Sequence, residues 1–188
     1  MKLVSLADLK LFMEKTDTDH DKVLEDMLGQ ISVRIQSFLN RLLEKQARTQ
    51  YFNGGRRYYY LPAFPIDSIA VLTVVVDSST QTLDSDYFVW HDEGCIEFYC
   101  SVSATQPKNV VITWTGGYDK QSGDVLRVPD DVKRACVLQT AYEFRRRNDL
   151  GASSTGMSGG SITYQPPVDF LPDVQSILDM YRSRPTVI

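Results

Sequence analysis

The sequence predicts an α+β protein: a helical bundle of about four helices with an inserted antiparallel β lobe between helices two and three. Three observations carry this. Apolar residues recur at helical spacing as far as Leu43. From Tyr51 to Tyr118 the chain turns to Tyr, Val, Ile, Phe and Thr, broken by Asn53-Gly54-Gly55, Pro62 and Pro65. Helical signals then return at Pro129. The expected division is a helical domain of residues 1–50 and 119–188 and a β-rich lobe of residues 51–118. At 188 residues the chain is long enough to bury a core without staples.

Each element has a local reason. Ser5-Leu6-Ala7-Asp8 has capping-box form and opens a short first helix to about Lys15. Thr18-Asp19-His20-Asp21 opens a second, whose Leu24, Leu28, Ile31, Ile35, Phe38 and Leu42 make an apolar seam, widened by Met27, Leu39 and Leu43. About 25 residues at ~1.5 Å rise give a rod of roughly 37 Å. Strands are predicted at Arg57–Leu61, Ile66–Val76, Tyr87–Trp90, Cys95–Cys100 and Val110–Thr115, with a hairpin turn at His91-Asp92-Glu93-Gly94. Pro129 at the first helical position, with Asp130 and Asp131 behind it, starts a third helix that ends in Arg145-Arg146-Arg147. Its apolar residues cover more than one face, so it should be the most buried. Residues 148–168, rich in Gly, Ser and Thr, predict a long flexible loop. A last helix starts at Pro172, with Val174, Ile177, Leu178 and Tyr181 on one face.

Composition narrows the function. Twenty basic and 24 acidic residues give a net charge of −4, which argues against a dedicated nucleic-acid binder. The charge is segregated: residues 1–50 and 129–188 are each balanced, and the strand block carries the whole excess of acid. No apolar run reaches a membrane span, and Asp8, Lys10 and Glu14 interrupt any signal-peptide run. Three cysteines without a C-x-x-C indicate neither a disulfide framework nor a zinc site, so a reducing compartment is expected.

Reactive motifs fail on inspection. Asp17-Thr18-Asp19-His20-Asp21 opens like a calcium loop, but Lys22 and Leu28 stand where Gly and Glu are needed. Gly151 to Gly156 lacks the Lys-Ser/Thr of a phosphate-binding loop. His20 and His91 lie in polar turns without ligand-spaced partners. No catalytic residue, cofactor or metal is expected. Tyr58-Tyr59-Tyr60 and Tyr87 to Trp90 suit packing or a protein interface better than base stacking. For Arg145-Arg146-Arg147 two readings stay open: contact with phosphates or a neighbouring subunit, or a solvated helix end paired with acids such as Asp149.

The ordered set of pieces resembles the phage head–tail connector (adaptor, head-completion) proteins of long-tailed phages. It comprises Ser5 to Lys10, Thr16 to Asp21, Pro129-x-x-Val132-Lys133 with the arginine run, the Gly/Ser loop, and Leu171-Pro172-Asp173-Val174 through Ile177-Leu178 to Tyr181-Arg182. The strand block departs from the smaller, almost wholly helical members. The resemblance implies a virion protein, assembled in the host bacterial cytoplasm, that forms a dodecameric ring under the portal. Such a ring extends the DNA channel, touches passing DNA non-specifically and offers a platform to the next neck protein. It also implies that the carboxyl end reaches the portal, which nominates Tyr181, Arg182, Arg184, Val187 and Ile188. From the residues alone, an ordinary frayed terminus fits that end equally well. The alternative function is a nucleic-acid-binding or other non-enzymatic interaction module; a hydrolase would need His91 beside a cysteine or serine.

Overall fold

The computed structural model describes residues 1–68, 72–121, 124–147, 154–157, 160–163 and 170–183. They form α1 (Leu6–Phe12), α2 (Asp21–Leu39), β1 (Gln46–Phe52), β2 (Tyr58–Tyr60), β3 (Thr73–Val76) and β4 (Ser79–Thr80). There follow β5 (Tyr87–Trp90), β6 (Cys95–Phe98), β7 (Val110–Gly116), α3 (Asp130–Arg146), β8 (Ser154–Met157), β9 (Gly160–Thr163) and α4 (Pro172–Tyr181). The fold is α+β, with antiparallel sheets between α2 and α3. Two compact units result, one built from Met1–Leu39 and Val128–Arg182, the other from Asn40–Arg127.

In the helical unit the capping box forms as read: Ser5 Oγ accepts from the Asp8 amide at 3.1 Å. Leu24, Leu28, Ile31, Ile35 and Leu39 are the buried stripe of α2. Ser32 shares that stripe without cost because its hydroxyl donates to Leu28 O at 2.6 Å and accepts from Leu3 N at 3.1 Å. α3 packs against α1, α2 and α4. Its buried residues include Val132, Ala135, Cys136, Gln139, Thr140 and Phe144, more than one helical face.

Five expectations need correction. α2 stops at Leu39, because Asn40 adopts φ +50° and a left-handed residue ends the helix. Leu42 and Leu43 therefore leave the seam. The Leu42 amide donates to Pro62 O at 2.7 Å, and Leu43 O accepts from the Tyr118 amide at 2.7 Å. Next, Gln46–Phe52 is a strand, β1, where no strand is predicted. Its core-facing signal is weak, since most of its side chains are exposed or half-exposed. Within the predicted Ile66–Val76 strand, Thr73–Val76 is a strand and Ile66 makes an isolated bridge to Gly116, while residues 69–71 lie outside the described residues. Pro129 is the residue before α3, with ψ 147°, not its first turn. Finally, the predicted loop contains the antiparallel pair β8–β9, with Ser154 opposite Thr163 and Met157 opposite Gly160. Ser158-Gly159, the two residues between them in sequence, are a hairpin signal. The rest of the loop, 148–153, 158–159 and 164–169, lies outside the described residues.

The strand unit has two sheets, in the orders β1-β7-β3-β4 and β2-β6-β5. Alternation decides what each buries. β7 turns Val110, Ile112 and Trp114 inward; β5 contributes Tyr87 and Val89, β6 Ile96 and Phe98, and β2 Tyr59. Trp114 satisfies its indole N–H on Ala63 O at 2.9 Å. Arg41 is buried beside this core, donating to Phe64 O with its guanidinium carbon 3.5 Å from the Phe64 ring centre. Desolvation pulls its pKa down from the ordinary arginine value. At the end of β7, Gly117 has φ +108°, and a Cβ there would fall 2.7 Å from the Glu44 carbonyl carbon, so only glycine fits.

Candidate functional site

Of the nominated carboxyl-terminal residues, Tyr181 and Arg182 are described, and both are engaged within the helical unit. α4 buries Val174 and Leu178. Phe170, just before it, lies edge-on to Phe38 at 5.2 Å and under the Arg34 guanidinium at 4.7 Å. Gln139 Oε1 accepts from the Leu171 amide at 3.0 Å, while its amide nitrogen donates to Glu143 at 2.7 Å. Arg34 donates to the same Glu143 oxygen at 2.7 Å. Tyr181 O–H donates to Asp131 at 3.2 Å, and the Arg182 guanidinium lies 5.2 Å from the Phe38 ring centre. The start and end of α4 are thus both fixed to α2 and α3. Arg184, Val187 and Ile188 lie outside the described residues.

The arginine run is brought together but divided in use. Arg145 is exposed. Arg146 donates to Tyr142 O–H at 2.5 Å from the preceding turn. Arg147 caps α3 with its guanidinium 3.9 Å from the Phe144 ring centre and a nitrogen 3.4 Å from His20 Nε2. Lys15 lies over the same ring at 5.4 Å. This end of the bundle therefore combines a helix carboxyl terminus with several cations, an arrangement that the helix dipole favours. Asp149, the acid named as a partner for the run, lies outside the described residues.

The strand unit carries a surface that sequence reading found only in part. Because Tyr59, Tyr87, Val89, Ile96 and Phe98 point inward, Tyr58, Tyr60, Phe88, Trp90, Cys95 and Glu97 share the outer face of β2-β6-β5. Tyr58, Phe88 and Trp90 are 45%, 41% and 46% exposed, an unusual concentration of aromatic surface on one small sheet. Glu97 sits at the centre. One carboxylate oxygen accepts from Arg57 at 2.9 Å and Tyr58 O–H at 3.0 Å; the other accepts from Trp90 Nε1 at 3.1 Å. The Trp90 and Tyr58 hydrogen bonds, with Arg57, hold the Glu97 carboxyl below the usual carboxylate range. Phe88 and Trp90 meet edge to face at 5.3 Å. The aromatic runs are visible in the sequence; Glu97 joins them only when the period-2 alternation of the paired strands is superposed.

Residues with reactive potential are otherwise occupied. Burial pushes the thiols of Cys95 and Cys136 up to about 11, and Cys100 is exposed. His91 engages Ile66 O through Nδ1 at 3.1 Å. The calcium-like acids pair with lysines, Asp21 with Lys10 at 2.7 Å and Asp17 with Lys15 at 3.5 Å. Among the described residues no group of three His, Cys, Asp or Glu side chains could hold a metal ion, and no helix is long and apolar enough to cross a membrane.

Among the described residues, four helices with antiparallel sheets between the second and third define an α+β fold that carries aromatic and basic side chains at its surface. The chain belongs to the head completion protein family, whose model matches residues 2–184. Two solved structures share its fold. A chain in the virion of a native gene transfer agent particle is 14% identical with a TM-score of 0.56. A chain in the neck of the empty gene transfer agent particle, computed with C6 symmetry, is 16% identical with a TM-score of 0.57. Each match covers 98% of this chain and 92% of the other. No curated protein matches the chain.

Proposed function

We propose that this protein forms a ring, a dodecamer, that docks under the portal, extends the DNA channel and gives the next neck protein its platform. The observation that carries the reading is the family match over residues 2–184, nearly the whole chain and both units. One similar chain belongs to a neck computed with C6 symmetry, which supports a ring. The acidic balance suits a conduit through which DNA slides, because a strongly basic lining would bind phosphates. In this reading the protein acts without enzymatic turnover; burial keeps the Cys95 and Cys136 thiols protonated, and His91 engages a backbone carbonyl.

In this reading α4 is a fixed mount and the segment from Tyr181 onward, with Arg182, Arg184, Val187 and Ile188, reaches the portal. Asp131 and Phe38 hold Tyr181 and Arg182 at the point of departure. Pro185 cannot continue a helix, and an extended tail with two β-branched residues can add to a partner. Arg145, Arg146 and Arg147 face a neighbour or the passing DNA. Electron microscopy of the protein mixed with purified portal tests the ring directly: twelvefold density below the portal is the expected image. Deleting Ser183–Ile188 should leave the protein folded and weaken portal attachment. Unchanged attachment would move the contact elsewhere.

A further inference from the structure

A closed ring of identical subunits needs two different, complementary patches on each chain, one meeting the other on the next copy. The inference rests on the ring reading above and asks which patches those are. The outer face of β2-β6-β5 is one candidate by its chemistry. It exposes Tyr58, Phe88 and Trp90 around a carboxylate that is already oriented by three donors. Aromatic rings with a polar handle and a positioned charge are the composition of interface hot spots. Glu93, in the adjoining turn, acts with Glu97 on the Cys95 thiol, so two carboxylates lie at this face beside Arg57. An acidic aromatic surface repels a nucleic-acid backbone and attracts a guanidinium, both by charge and by the ring quadrupole.

The complementary feature is the end of α3. Arg145 is exposed there at a helix carboxyl terminus beside Arg146 and Arg147. Charge segregation in the chain fits this pairing, because the whole net charge of −4 lies in the strand block. We propose that the face formed by Tyr58, Phe88, Trp90 and Glu97 docks onto a second copy of this chain, receiving the Arg145 end of α3 as a head-to-tail contact. Glu97 keeps an acceptor position on the oxygen that takes only Trp90, so an incoming guanidinium finds a carboxylate already held in place.

The test uses the full chain, with Cys100→Ser to remove the exposed thiol and Asp92→Cys in the exposed turn beside the face, Thr16→Cys next to Lys15 at the end of α3, or both introduced. A short bismaleimide is applied to concentrated protein and to assembled neck particles carrying the variants, and products are separated on denaturing gels. The double variant should give a ladder of covalent multimers. An equal mixture of the two single variants should give dimers and nothing larger, because each such chain has one reactive patch. As a second measurement, Phe88→Ala with Trp90→Ala should weaken self-association at least about tenfold, with an unchanged circular dichroism spectrum. Three results overturn the inference: no ladder in particles that contain the ring, dimers from Asp92→Cys alone, or cross-linking of Asp92→Cys to a different polypeptide. Particles with no ring of this chain would instead overturn the reading on which the inference rests.

Discussion

Single side chains already divide the molecule into inert and available chemistry. Cys136 lies in the helical core, with its sulfur 3.8 Å from Ser32 Oγ, and Cys95 sits under the aromatic face. Burial raises both thiols to about 11. Since the folded pKa lies above the unfolded value of 9, protonation favours the fold. That contribution is complete below pH 9 and is lost as pH climbs toward 11. Titration with a maleimide at pH 7 should therefore modify Cys100 rapidly and the other two only on unfolding. Rapid reaction of all three in the native protein would contradict the burial. At Trp114, the indole N–H holds Ala63 O inside the strand core. Trp114→Phe leaves that carbonyl unpaired and should cost about 1–3 kcal/mol in a denaturant titration.

Two short motifs decide where elements begin and end. Asn40, left-handed at φ +50°, stops α2, and the chain leaves it toward β1. Replacing it with glycine removes the Cβ conflict, whereas a β-branched residue aggravates it. Asn40→Val should lower stability by about 1–2 kcal/mol, and Asn40→Gly should hold or raise it. Thermal melts of the two variants check the sign. Gly117 is less forgiving. Its φ of +108° and the approach of Glu44 leave no room for a methyl group, so Gly117→Ala should cost more than about 2 kcal/mol. A smaller loss would mean that β1 and β7 can shift without strain.

For the whole molecule, the partition of the core is the governing fact. Every member of the strand core, from Tyr59 to Trp114, lies within Asn40–Arg127, and so does the Arg41–Phe64 anchor. Residues 40–127 expressed alone should fold, giving a cooperative melt and a near-ultraviolet tryptophan signal from Trp114. A fragment without either would show that the helical unit is needed to complete it. The helical unit closes differently, through contacts of high sequence separation such as Arg34 with Glu143 and Gln139 with Leu171. Glu143→Ala removes the acceptor shared by Arg34 and Gln139, and should loosen Phe170 and α4 together. Faster hydrogen exchange in Val174–Leu178 is the expected result; unchanged exchange would leave the network without a role there.

The sequence by itself determined the fold class, the order of the four helices with a strand block between the second and third, the capping box at Ser5, the hairpin turn before Cys95 and the buried faces of α2 and α3. Each is encoded locally, in the period of apolar residues or in turn chemistry. It also carried the resemblance to a family that the match over residues 2–184 establishes. Tertiary structure alone decided where α2 ends, because the apolar seam through Leu42 is helical in period and only the partners at Pro62 and Tyr118 claim it for strands. It decided that Gln46–Phe52 is a strand, since β7 supplies the hydrogen bonds that a largely exposed sequence does not announce. It likewise placed Arg57, Tyr58, Phe88, Trp90 and Glu97 on one surface. These residues come from three strands separated in the chain, and side-chain chemistry converges across strands only after register is set by pairing.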